Sequence, residues 1–198
     1  MIGRHGLETL SQLIVTDRDK YSDKYGVCTI ANDVEIKDHP AFPYRGVMLD
    51  TSRNYLSMSS IKSVIRGMGY NKLNRLHLHF TDTASFPLQV DTEPNLFYYG
   101  AYSSDMYYDK ARIKELTEFA HGYGVSIIPE VDVPSHVNMG WNWGQLEGVG
   151  KCLKINISCR IASKTTNACM VDDIYLKVIW PFAQTIGRLL RWNPQLGI

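Results

Sequence analysis

The sequence predicts an α/β fold, a parallel sheet whose strands are joined by covering helices. Three observations point to it. Three short apolar runs, at 44–51, 73–82 and 125–132, alternate with stretches of helical periodicity. Each run closes on polar residues at its C-terminal end. Glycine, proline and helix-capping residues fall at the joints rather than inside the runs.

The elements follow in chain order. Residues 1–15 hold Leu7, Leu10, Leu13 and Ile14 on one side of an amphipathic helix. Arg4 and Glu8 interrupt the apolar stretch a secretory leader needs. A chain that starts inside such a helix is expected to be truncated. Residues 26–37, GVCTIANDVEIK, alternate apolar and polar on either side of Asn32-Asp33, which predicts two short strands. DHPAFPYRG, with Pro40 and Pro43, reads as a linker. The run YRGVMLDT is the first strand of the sheet. Ser57 then caps a helix carrying Ile61, Val64, Ile65 and Met68 at i, i+3, i+4, i+7. In LNRLHLHFTD, Leu76, Leu78 and Phe80 face one way, and Arg75, His77 and His79 the other. A Tyr-rich loop follows. Asp109 opens a helix with Ile113, Leu116 and Phe119/Ala120 inward, closed by Gly122 and Gly124. Residues 125–132 are the third strand, and a last helix is expected from Asp172, kinked at Pro181.

The strand ends point to function. Asp50 and Arg53, His79 and Asp82, Asp132 and His136 all follow the C-terminal ends of strands, the edge where α/β folds place their sites. IIPEVDVPSH places Glu130, Asp132 and His136 within seven positions, and buried carboxylates are costly unless paired or used. Neither a Gly-x-Gly-x-x-Gly, a P-loop, a Gly-x-Ser-x-Gly nor a His-Glu-x-x-His occurs.

Composition narrows the classes further. The 198 residues are 44% hydrophobic and 21% charged, enough for a core and too ordered in pattern for a disordered chain. A net charge of +1 without a Lys/Arg run argues against nucleic acid as a partner. No apolar stretch reaches the roughly 18 residues of a membrane span. Cys152, Cys159 and Cys169 share a Ser/Thr/Asn-rich stretch with an Asn-Ile-Ser sequon at Asn156. That combination suggests a disulfide-bearing, glycosylated loop and a secreted or lysosomal setting.

Several longer motifs resemble the β-N-acetylhexosaminidases of glycoside hydrolase family 20, the insect chitooligosaccharide-degrading members above all. They are RHGLETLSQLI, PYRGVMLDTSRNYLS, LNRLHLHFTDTASFPLQV, YGVSIIPEVDVPSHVNMGW and WGQLEGVGK. The resemblance implies a partial (β/α)8 TIM barrel. Residues 41–198 would supply its first three β/α units, and residues 1–40 would be the tail of a small α/β domain. It implies hydrolysis of terminal β-linked N-acetylglucosamine or N-acetylgalactosamine, with an amino-sugar oligosaccharide as substrate. The substrate's own acetamido oxygen is the nucleophile in this group. Neither a cofactor nor a metal is implied, and a homodimer is the family's common assembly. Arg45 is expected to grip sugar hydroxyls, and Asp82 to be the second-strand aspartate. Asp132 and His136 would form the pair that polarises the catalytic acid, with Glu130 supporting them. Trp141 and Trp143 are expected to form a sugar-stacking wall.

The sequence departs from the family's pattern in one decisive place. No Asp-Glu dipeptide occurs, and the family's general acid and acetamide-orienting group are that pair. The second-strand motif also reads His-Leu-His, where the family usually has His-Trp-His. The expectation is a fragment, inactive alone. Two other readings are a non-catalytic carbohydrate-binding protein and a metal-dependent barrel hydrolase using His77, His79 and His136 with Asp132. By themselves His77 and His79 read more readily as satisfied core histidines than as ligands. The tyrosines at 98, 99, 102, 107 and 108 would either bind sugar or pack on one another. Asp50 and Arg53 are expected to form a salt bridge below the mouth.

Overall fold

The computed structural model of the chain describes residues 2–17, 27–132 and 136–141. Trp143, Cys152, Cys159, Cys169, the sequon at Asn156 and the helix expected from Asp172 lie outside the described residues.

Helix α1 (Ile2–Gln12) is followed by β1 (Val15–Asp17) and β2 (Val27–Thr29), which pair antiparallel. The strand expected just after Asn32-Asp33 does not form. Its place beside β2 is taken by β1. Asp33 has φ 55, a left-handed conformation open to Asp that turns the chain away.

The body of the chain is a parallel three-stranded sheet. Strand β3 (Gly46–Asp50) pairs with β4 (Arg75–Thr81), and β4 pairs with β5 (Ser126–Val131). Helix α2 (Met58–Tyr70) joins the first two, and α4 (Lys110–Gly122) precedes the third. Both begin as their sequences direct. The Ser57 side chain accepts from the Ser60 N–H, and the Asp109 side chain from the Arg112 N–H. Gly124, at φ +74, supplies the left-handed turn that takes α4 into β5. A short helix, α3 (Asn95–Gly100), lies in the long loop between β4 and α4, where no helix was expected.

The sheet's two faces differ in kind. One carries Leu76, Leu78 and Phe80 into a core with Ile61, Ile65 and Met68 of α2 and Ile113, Leu116 and Ala120 of α4. The other carries register-matched rows, Met48–His77–Ile128 and Asp50–His79–Glu130. Apolar burial holds the first face together; the second is where polar chemistry is available.

Helix α1 docks by its polar side. The Arg4 guanidinium lies 5.1 Å from the centre of the Tyr123 ring, and His5 packs on Gly124. Thr9 and Asp38 share the Lys72 ammonium. Its leucine side, with Leu7 and Leu10, is exposed instead. Among the described residues no helix is long and apolar enough to cross a membrane.

Candidate active site

The turn after β3 is built by its own sequence. The Asp50 carboxylate accepts from the backbone N–H groups of Ser52 and Arg53, both at 3.0 Å, and closes an Asx-type turn. The same carboxylate meets Arg53 Nη1 at 2.5 Å. The salt bridge expected between these residues is therefore present. Burial would raise the Asp50 carboxyl, but Arg53 and the two N–H donors outweigh it and hold it below the ordinary range.

A buried clasp ties this turn to the one after β4. Ser52 Oγ donates to the Ser85 carbonyl at 2.8 Å, and Ser85 Oγ donates to the Ser52 carbonyl at 2.7 Å. Thr51 adds a backbone N–H and a hydroxyl to the His79 carbonyl. The clasp brings Arg53 and Asp82 face to face, with Arg53 Nη2 2.6 Å from Asp82 Oδ2. Tyr102, from the Tyr-rich loop, donates its hydroxyl to the Arg53 carbonyl.

Asp82 sits at the centre of this edge and is only 5% exposed. Its Oδ1 accepts from the Thr83 N–H, and its Oδ2 is 3.0 Å from His79 Nε2. Burial pushes its carboxyl up. The His79 hydrogen bond, the Thr83 N–H and the charges of Arg53 and His136 together push harder the other way, so it stays ionised.

His136 stands 3.8 Å from Asp82 Oδ2, and its Nδ1 lies 2.7 Å from Asp132 Oδ2, an acceptor for the ring N–H. Its backbone has φ 54, a left-handed conformation uncommon for residues other than glycine. Asp132 is anchored in turn by its N–H to Thr81 Oγ1.

Glu130 lies one layer behind. Its carboxylate pairs with the two histidines of β4 rather than with Asp132 or His136. Its Oε2 is 2.5 Å from His77 Nε2 and 3.0 Å from His79 Nδ1. Burial would raise Glu130, yet His79 first and His77 second hold it below the ordinary value.

Asp82, Asp132 and His136 thus share one edge with Arg53, His79 and Glu130. Arg45 does not join them. It precedes β3, at the N-terminal end of the sheet, roughly 16 Å along the chain from Asp50 at about 3.3 Å per residue. Its guanidinium donates to the carbonyls of Lys72 at 2.8 Å and Phe42 at 2.7 Å. Its N–H meets Asn74 Oδ1. These bonds tie down the base of the sheet and cannot reach a ligand at the mouth. The arginine there is Arg53, and the signal for it was available: Asp-x-x-Arg at a strand's C-terminal end.

Trp141 also departs from its expected place. It is 6% exposed and packs edge-to-face on Phe86, ring centres 6.0 Å apart, so its faces belong to the core rather than to a sugar-stacking wall. Gly140 makes the tuck feasible. It has φ +86, and a Cβ there would strike the Leu96 carbonyl and Phe86. In the Tyr-rich loop, Tyr108 is buried with its hydroxyl on the Leu56 carbonyl, and Tyr107 stacks on Phe97. Tyr98, Tyr99 and Tyr102 remain exposed.

Two groups of potential metal-ligating atoms lie within 4.8 Å of one another, His79/Glu130/Asp132 and Asp82/Asp132/His136. His77 belongs to neither. The guanidinium on Asp82 disfavours a second cation there, and the contacting histidine nitrogens already face carboxylates.

The same arrangement of elements recurs in known proteins. The chain is 48% identical over 192 residues to a chitooligosaccharidolytic β-N-acetylglucosaminidase of Bombyx mori, covering 92% of this chain and 31% of that protein. It is 47% identical over 148 residues to a probable β-hexosaminidase, fdl, of Drosophila melanogaster, covering 75% of this chain and 22% of that one. The chain therefore spans less than a third of the length of these relatives. The solved structure of a family 20 exo-β-N-acetylglucosaminidase from Vibrio harveyi, bound to N-acetylglucosamine, superposes with a TM-score of 0.58 at 29% identity. It covers 72% of this chain and 24% of that one. Residues 42–185 match the catalytic domain of glycosyl hydrolase family 20, and the chain belongs to that family.

Proposed function

We propose that the protein carrying this chain is a β-N-acetylhexosaminidase. It removes terminal β-linked N-acetylglucosamine or N-acetylgalactosamine from chitooligosaccharides or glycoconjugates, by a retaining mechanism in which the substrate's acetamide attacks. The observation that carries this reading is the convergence of Arg53, Asp82, Asp132 and His136 on one edge of a parallel sheet. A half-exposed guanidinium suits a pair of neighbouring sugar hydroxyls. Asp132 orients the His136 imidazole, and the other ring nitrogen is left to hold a catalytic acid from behind.

In this reading residues 41–198 are the first three units of a (β/α)8 barrel, and residues 1–40 are the tail of a preceding α/β domain. The role first given to Arg45 passes to Arg53. Trp143 remains a candidate for stacking on sugar. A secreted or lysosomal setting and a homodimer of the whole protein complete the proposal.

No Asp-Glu dipeptide occurs in the 198 residues, and a general acid contributes about 10²–10⁴ in rate. The chain alone accordingly binds the sugar without turning it over. Calorimetric titration with N-acetylglucosamine, beside a fluorogenic N-acetylglucosaminide assay, tests this. Saturable binding that Asp82→Asn abolishes, with no turnover, is expected. Absence of binding, or ordinary turnover by the chain alone, overturns the reading.

A further inference from the structure

Behind Asp82 the sheet holds a line of alternating bases and acids. His77 and His79 project from the same face of β4, and Glu130 comes from β5 in register with His79. A single oxygen, Glu130 Oε2, lies 2.5 Å from His77 Nε2 and 3.0 Å from His79 Nδ1, so it spans two rows of the sheet. The far nitrogen of His79 is 3.0 Å from Asp82 Oδ2. Both ring nitrogens of His79 therefore face carboxylates.

A neutral imidazole carries one N–H and one lone pair, so it can serve only one of two carboxylate partners. The other carboxylate would face a lone pair. Only the imidazolium donates to both. The surroundings agree. Glu130 faces His79 from β5 and Asp50 from β3, with Asp82 beyond the end of its own strand. Asp132, from the end of β5, has a carboxylate oxygen within 4.8 Å of the ring, Arg53 and His136 pair with Asp82 and Asp132 on the other side, and His77 shares Glu130. Burial lowers the proton affinity of His79, but Glu130 and Asp82 raise it by more.

We propose that Glu130, backed by His77, is a positioning residue for Asp82: it holds His79 as an imidazolium whose Nε2–H fixes the Asp82 carboxylate toward Arg53 and His136. Its part in sugar binding rests on the reading of Asp82 given above. The charge at the mouth is thus set through His79, by a carboxylate that does not itself pair with Asp82.

The test uses nitrogen-15 spectra of the histidine rings in the purified chain, with the backbone amide fingerprint as a check on folding. In the unaltered chain both His79 nitrogens are expected to carry protons at pH 7. Glu130→Gln keeps the shape and removes the charge. Its carboxamide donates to Nδ1, so His79 becomes neutral with its proton on Nε2, and its midpoint falls by about one pH unit, tenfold in proton affinity. Glu130→Asp keeps the charge and restores the doubly protonated ring. His77→Gln shifts the midpoint less than Glu130→Gln does. A singly protonated His79 at pH 7 in the unaltered chain overturns the proposal without recourse to any variant. So does a Glu130→Gln variant of unchanged fingerprint with unchanged His79 signals.

N-acetylglucosamine titrated into the same samples separates the two claims. Weaker binding in Glu130→Gln, recovered in Glu130→Asp, supports the positioning role. Equal binding while His79 has become neutral overturns that role. If no sample binds the sugar while the His79 signals behave as expected, the functional reading fails and the imidazolium assignment stands.

Discussion

Arg45 and Arg53 flank the same five-residue strand and do opposite work. At the base of the sheet, the Arg45 guanidinium is taken up by main-chain carbonyls of Phe42 and Lys72. It leads into the strand and ties its start to the neighbouring turn and linker. At the mouth, Arg53 faces the carboxylates of Asp50 and Asp82 and is half open to solvent. The base is a network of side chain to backbone, which fixes shape. The mouth is a network of side chain to side chain, which fixes charge. Residue type does not distinguish an arginine that braces the main chain from one that balances carboxylates; the partner's chemistry does.

Four experiments break or sharpen that contrast. The scale is set by Leu78→Ala, on the helix-facing side of the central strand. The residue is fully buried, and the change is expected to cost about 3 kcal/mol in urea unfolding. Arg45→Ala comes next, at about 1 kcal/mol, since it removes charged hydrogen bonds to two main-chain carbonyls that water replaces only in part. The ring-nitrogen signals of the mouth histidines should not move with it. If they do, the two ends are coupled and the contrast fails.

The pH dependence of stability is the third and smaller effect. His79 has its proton affinity raised in the fold, so its contribution is full below the ordinary histidine value of about 6.5 and fades as pH climbs through the raised value. Asp82 and Glu130 are lowered, so theirs is present above the ordinary carboxylate values of about 4 and fades as pH falls through the lowered ones. Thermal melts should therefore peak on a plateau bounded by acid below and by His79 deprotonation above. Glu130→Gln should cut down the alkaline shoulder. The least perturbing change is Arg53→Lys. It should leave the melting temperature nearly where it is and weaken N-acetylglucosamine by about tenfold, one charged hydrogen bond's worth, because a point charge replaces a fork.

The frame of the fold could be read from the chain because its signals are local. Ser57 and Asp109 cap the helices they were expected to cap. The alternation in LNRLHLHFTD fixed which side of β4 is buried. Long-range facts were less accessible. The partner of β2 is an earlier segment of the chain, and pairing of that kind leaves no periodic trace. Arg45 was misplaced because its motif says which residues are near in sequence, not which end of a strand each occupies. Trp141 was misplaced because the glycine that lets it fold inward acts through a close approach to Leu96, in a helix that periodicity did not reveal. Glu130 was legible as part of the cluster, but its partners were not. They depend on the parallel register that sets it beside His79.

The reciprocal Ser52–Ser85 clasp has a practical consequence for anyone who would transplant this mouth. Each hydroxyl serves the other's carbonyl, so deleting either one removes half of the bond pair that joins the two turns. The two loops behave as a single lip. Grafting the segment after β3 onto another parallel sheet without the segment after β4 would deliver Arg53 to the wrong place, however faithful the copied sequence.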